Sequence, residues 1–165
     1  MNYMLQDLVR VRQHREERAG ANAARAARQL EEARTALATA QDDLTEYTVW
    51  RIERENTLLD GLMRRVLRAG ELSDTRTEIA LLREREFEFH DRVRRAEAQV
   101  EKAEAALQEA RHDHARAVRE LEKLLEHRTG WQREHRLQME RAEEAAMEEF
   151  NVPARPLIAI GGHHE

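Results

Sequence analysis

Proline is confined to the last stretch of this chain, at Pro153 and Pro156. A proline inside a helix removes a backbone hydrogen bond and clashes with the preceding turn, so its absence leaves everything before Asn151 free to be helix. Of the six glycines, at 20, 61, 70, 130, 161 and 162, only Gly70 stands among other turn signals. Gly70-Glu71-Leu72-Ser73-Asp74-Thr75 offers a C-terminal glycine to an incoming helix and several N-cap candidates to an outgoing one. Thr75-Arg76-Thr77-Glu78 also fits a capping box, in which a hydroxyl and a carboxylate satisfy each other's orphan amides. These signals predict a single helical hairpin over 1–150, with helices at about 3–69 and 75–150 and a loop at about 70–74. A flexible tail over 151–165 follows, for which disorder is the default at a terminus; Leu157-Ile158-Ala159-Ile160 leaves open a short extended ligand for a partner's sheet edge.

The hydrophobic period is a heptad. In the second helix it runs through Phe89, Val93, Ala96, Val100, Ala103, Leu107, Ala110, His114, Ala117, Leu121 and Leu124, and in the first through Ala23, Ala26, Leu30, Ala33, Leu37, Ala40, Leu44 and Tyr47. A repeat sustained this long argues coiled coil rather than an ordinary amphipathic helix. In both helices alanines fill the d positions and larger residues the a positions. A loop of about four residues forces neighbouring helices antiparallel, which sets a against d and each alanine against a Leu, Val or His. Paired residue numbers should then sum to about 140 or 147, and helices of this length give a rod of roughly 100 Å. The fold class expected is all-α: a long antiparallel two-helix coiled-coil hairpin with Ala-rich heptads and a short non-helical C-terminal tail.

Composition narrows the function classes. Of the 165 residues, 37% are charged and 4% aromatic, against about 25% charge in a typical globular domain, so a compact enzyme is not expected. Acids outnumber bases for a net charge of −5, which argues against a dedicated nucleic-acid binder. Cysteine is absent, so no thiol nucleophile, thiolate metal site or disulfide framework is available. No phosphate-binding glycine motif or serine elbow occurs. No apolar run is long enough for a signal peptide or a membrane span, so a cytoplasmic protein without direct membrane insertion is expected.

Eight histidines invite a metal site, but His112 and His114 do not share a helix face, and His163-His164 lacks neighbouring ligands. His114, Arg128 and His135 read better as polar seam residues that fix register. Bases prevail near the N-terminus and acids over Glu140–Phe150, and an antiparallel hairpin is expected to bring these ends side by side. Tyr47 takes a d position, where it thickens the core or serves a partner. Trp50 falls beside the seam, as an interface aromatic would, while Trp131 fits seam packing.

An Arg-rich first helix with Leu5, Leu8, Val9, Val11, Arg12 and Arg15, then Tyr47-Thr48-Val49-Trp50-Arg51 and Ile79-Ala80-Leu81-Leu82-Arg83-Glu84, resembles the stalk proteins of bacterial type III secretion systems, the YscO family, with flagellar FliJ more distant. The resemblance covers about residues 1 to 150. It implies a hairpin whose terminal end sits in the pore of the hexameric secretion ATPase, promoting ring assembly and hydrolysis. The loop-proximal part would reach the cytosolic domain of the export gate. Carried over residue by residue, the gate candidates are Tyr47, Trp50, Arg51, Ile79, Leu82 and Arg83. The ATPase-side candidates are Arg10, Arg12, Arg15, Glu143, Glu144 and Glu148. Export chaperones are a further class of partner associated with such proteins, which the residues neither support nor exclude. The resemblance implies no cofactor, no metal and no enzymatic activity, a monomeric hairpin and a place at the cytosolic face of the apparatus. The proline-containing tail departs from the family pattern, and no role transfers to it. The rival class is a self-associating coiled-coil structural protein with no ATPase partner; a remoter one, resting on the histidines alone, is a metal-binding or enzyme-accessory helical protein.

Overall fold

The computed structural model describes residues 2–66 and 68–152; the tail reading, from Pro153 onward, lies outside them. Two long helices, α1 Gln6–Met63 and α2 Ala69–Asn151, pack against each other, without a strand among the described residues. Two compact units result, His14–Val118 and Met1–Gln13 with Arg119–Glu165.

Within His14–Val118 the alternation of small and large residues builds the core. Ala26, Leu30, Ala33, Ala103 and Leu107 are buried in one cluster, with Ala27, Val100 and Ala110 packed against it. Alanine carries the best helix propensity and the least bulk, so the same residues sustain long helices and let them approach closely. Half-buried positions recur in heptad steps on both sides, through Ala23, Leu37, Ala40, Leu44 and Tyr47 on α1 and through Thr75, Ile79, Leu82, Glu86, Phe89, Val93, Ala96 and Val100 on α2.

The register lies one heptad below the smaller of the two expected sums. Residue numbers of cross-helix partners sum to 130 for Glu16 and His114, 132 for Arg54 and Glu78, and 138 for Arg34 and Glu104. A layer sum of about 133 sets Leu30 across from Ala103 and Ala26 across from Leu107, all four in the buried cluster. Its midpoint falls near residue 66, and the turn lies at 64–68, not 70–74. Gly70 is the second residue of α2, and the first turn is closed by the Glu71 amide donating to the Arg68 carbonyl at 3.0 Å. The expected caps have other work: the Thr75 and Thr77 hydroxyls donate to the Glu71 and Ser73 carbonyls within the helix, and Glu78 pairs with Arg54. A Thr hydroxyl can bond to the carbonyl four residues back as readily as it caps, so local turn chemistry gave way to seam packing.

Gly20 has a role of a different kind. A Cβ there would meet His114 Nε2 at 3.2 Å, so its bare backbone admits the imidazole, which also meets Glu16 Oε1 at 3.0 Å. Replacing Ala103 by Leu is expected to overpack the seam and cost about 1–3 kcal/mol, read as a lower urea midpoint. An unchanged midpoint would place this alanine outside the packing.

In Met1–Gln13 with Arg119–Glu165, Tyr3 and Val9 are buried. Tyr3 shares a hydrogen bond with His127 and lies 5.3 Å from the Trp131 ring, which stacks on His135 at 5.2 Å. Arg12 pairs with Glu120. Trp131 therefore packs in the seam, as its spacing suggests, whereas half-buried His135 stacks on it from the same helix. The expected meeting of the basic and acidic ends does not occur: residues 3–12 of the chain face 120–131, every residue from 136 to 152 is exposed, and among the described residues Glu140, Glu143, Glu144, Glu148 and Glu149 form no ion pair. The cause is the heptad offset, which leaves this acidic stretch of α2 beyond the start of α1.

Candidate partner-binding surface

Five of the six gate candidates are joined by contacts between the helices of His14–Val118, directly or through one neighbour. Tyr47, at a d position, donates its hydroxyl to the Leu82 carbonyl at 2.6 Å and stacks on Phe89 with centroids 4.6 Å apart. Helix carbonyls already accept a backbone amide, and this second bond ties the two helices through one side chain. Burial raises the Tyr47 pKa above its ordinary value, although Arg85 opposes it. Trp50 leans on Tyr47 at 5.7 Å with its own side chain half-exposed, at 49%. One turn along, Arg51 and Arg83 meet Glu55 and Glu86 in a charge-balanced cluster. Arg51 Nη1 donates to Glu55 Oε1 at 2.9 Å and its guanidinium also pairs with Glu86; Arg83 Nε donates to Glu55 Oε1 at 3.0 Å. The Thr48 hydroxyl donates to Glu86 Oε1 at 3.3 Å.

The cluster is largely enclosed: the Arg51 and Glu55 side chains are 15% and 11% exposed. Arg51 Nε sits beside the Glu86 carboxylate as a charge contact without the alignment of a hydrogen bond. Arg83's hydrogen bond holds the Glu55 carboxyl below its ordinary pKa, against the opposing effect of burial, with Arg51 adding to it. The bond to Glu55 likewise raises Arg51. Both groups stay charged, as a buried pair must to offset its desolvation.

Arg51 and the Tyr47 hydroxyl thus face the partner helix rather than solvent, Leu82 and Ile79 are half-buried, and Trp50 and Arg83 are exposed. The residue types that the sequence reading missed are the acids. Glu86 occupies the heptad position preceding Val93, and Glu55 lies four residues after Arg51, so extending the seam backward and testing i, i+4 charge pairs would have found both.

The ATPase-side candidates are not gathered. Arg10 is exposed, 3.9 Å from Asp7, Arg12 is engaged with Glu120, and Arg15 is exposed. Glu143, Glu144 and Glu148 lie on the exposed stretch of α2. Among the described residues no group of three or more His, Asp or Glu is placed to hold a metal ion, and no helix is long and apolar enough to cross a membrane.

These features define an all-α coiled-coil hairpin whose chemistry sits on its surface and in a polar seam. The sequence profile described as Type III secretion protein YscO matches residues 5–153, and the chain belongs to that family. It is similar to the crystal structure of type III secretion protein YscO from Vibrio parahaemolyticus, with 28% identity, 90% of this chain and 93% of that one covered, and a TM-score of 0.82. A YscO homologue from Chlamydia trachomatis, 19% identical, shares the fold at a TM-score of 0.76 over 91% of this chain and 92% of its own. Comparison with curated proteins gave no match.

Proposed function

We propose that this chain is the stalk of a bacterial type III secretion apparatus, linking the hexameric secretion ATPase to the cytosolic domain of the export gate. In that role it promotes ATPase assembly, hydrolysis and protein export without catalysis of its own, as a monomeric hairpin at the cytosolic face, with export chaperones as a further class of partner. Membership of the YscO family supports the setting. Trp50 carries the gate assignment: its neighbours Tyr47 and Arg51 are spent on holding the helices together, whereas its indole is half-exposed on a pre-ordered helix. A rigid, partly exposed aromatic beside an enclosed contact is the make-up of an interface anchor. On the ATPase side, Met139, Ala142, Ala146 and Phe150 stand three or four residues apart on the stretch of α2 beyond the start of α1, all exposed and interleaved with acids, a helical face suited to a partner's helices.

Trp50→Ala is expected to weaken binding to the gate's cytosolic domain by about 1–3 kcal/mol, roughly 5- to 150-fold, with helicity and melting nearly unchanged. Stimulation of the ATPase should survive. Deleting residues 140–150 should do the reverse. Titration calorimetry with the gate domain and a phosphate-release assay read the two arms. Normal gate binding by folded Trp50→Ala removes the assignment, and unfolding makes the indole a core residue. A stable dimer in solution would favour the self-associating rival.

A further inference from the structure

We infer that the hairpin turn is a docking point for an anionic lipid surface. Between Gly61 and Gly70 the chain carries Arg64, Arg65 and Arg68 and no acid, a local charge of +3 bounded by Asp60 and Glu71 in a protein whose net charge is −5. All three arginines are exposed, and among the described residues no carboxylate lies within ion-pair distance of any of them. Arg65 Nε makes one long contact, 3.5 Å, to the Gly61 carbonyl. Elsewhere among the described residues of His14–Val118 some arginines find acids, as Arg34, Arg51, Arg54 and Arg83 show, and others, such as Arg25 and Arg28, do not; the turn is set apart by three such cations within five residues with no acid between them.

Apolar side chains are interleaved with these cations. Met63 is 87% exposed and Val66 fully so, and Leu59 and Leu72 flank the turn on the two helices. Leaving such groups in water is unfavourable in proportion to their area, and among the described residues Met63 and Val66 are left almost wholly uncovered. Guanidinium groups bind phosphate oxygens through paired N–H donors, and short apolar side chains beside them reach the boundary between headgroups and acyl chains. A lipid surface uses both features at once. A nucleic-acid backbone would use the arginines but leave Met63 and Val66 unsatisfied, since the turn offers no aromatic platform for bases. The inference goes beyond the stalk reading and stands on the turn alone; it concerns adsorption at a surface and needs no spanning segment.

The test is flotation of the full-length chain with vesicles of phosphatidylcholine alone and of equal parts phosphatidylcholine and phosphatidylglycerol. Binding is expected to the anionic vesicles only, and to fall as salt is added. With each arginine near an anionic surface contributing about tenfold or somewhat less, replacing Arg64, Arg65 and Arg68 together by Gln should weaken partition by about 100-fold, and Met63→Ser with Val66→Ser by severalfold. Salt release from the native chain keeps the test valid if a variant melts early. Several outcomes would overturn the inference: no partition into anionic vesicles, equal partition into neutral ones, or unchanged partition of the folded triple variant, which would move the binding to another basic segment. Binding of the turn to polyglutamate with none to vesicles would make its partner an acidic protein and equally overturn it.

Discussion

Arg51→Ala is expected to destabilise the protein by about 3–5 kcal/mol, the range for removing one member of an enclosed ion pair. The loss exceeds that of a surface pair because of what stays behind. Glu55 and Glu86 would remain largely enclosed, with Arg83, itself mostly exposed, as their nearest compensation. Urea unfolding at neutral pH reads the effect; a change within about 0.5 kcal/mol, as at an ordinary surface site, would show that water reaches the cluster freely. The same cluster makes a prediction in pH. Glu55 has a lowered folded-state pKa, so its contribution is present above the unfolded value of about 4.3 and is lost as pH falls through the folded one. Acidification below about pH 4.3 should therefore lower stability in the native chain, and Glu55→Gln should show less of this loss. Parallel stability curves for the two proteins would remove Glu55 from the acid response.

Leu30→Ala should cost about 2–5 kcal/mol. Leu30 is buried among alanines, and small neighbours on a helix cannot swing in to fill the space a lost isobutyl group leaves. The whole of α2 would have to move closer, which Val100 and Leu107 on the same face resist. Thermal melting by circular dichroism checks the size of the drop; a loss well below 1 kcal/mol would mean that the helices collapse onto the gap. Hydrogen exchange at amides around Leu30 and Ala103 adds the location, since faster exchange confined there identifies a local opening.

The seam was legible in the sequence because Ala, Leu and Val recur with a period that no other structure requires, and Ala26, Leu30, Ala33, Ala103 and Leu107 are the buried residues that the heptads name. Register was not legible. Sliding α2 by seven residues returns alanine to alanine and large residue to large residue, so the apolar pattern gives the same answer at sums of 133, 140 and 147. Only the polar members of the seam distinguish them. A slip to 140 would set Arg51 against Phe89 and take Tyr47 away from the Leu82 carbonyl, whereas the observed pairing satisfies both. The turn misled for a related reason: Gly70, Ser73 and Thr75 permit a turn but do not impose one, and a Gly near the start of a helix costs only about 1 kcal/mol. Trp50 was legible as lying beside the seam; that Arg51, its neighbour, turns inward was not, because the acids that draw it there come from two helices.

The ionic cluster also bears on mechanics. An all-apolar heptad seam resists separation well and sliding poorly, because each heptad step finds an equivalent set of holes. Two carboxylates and two guanidinium groups bridging α1 and α2, with a phenol anchored on a carbonyl one turn away, act as a key in a shaft. Shear along the helix axes has to break charged contacts at one fixed position before any layer can advance. Within His14–Val118, a push or twist applied to one helix is therefore delivered to the other as motion of the pair, with no slippage at the seam to absorb it.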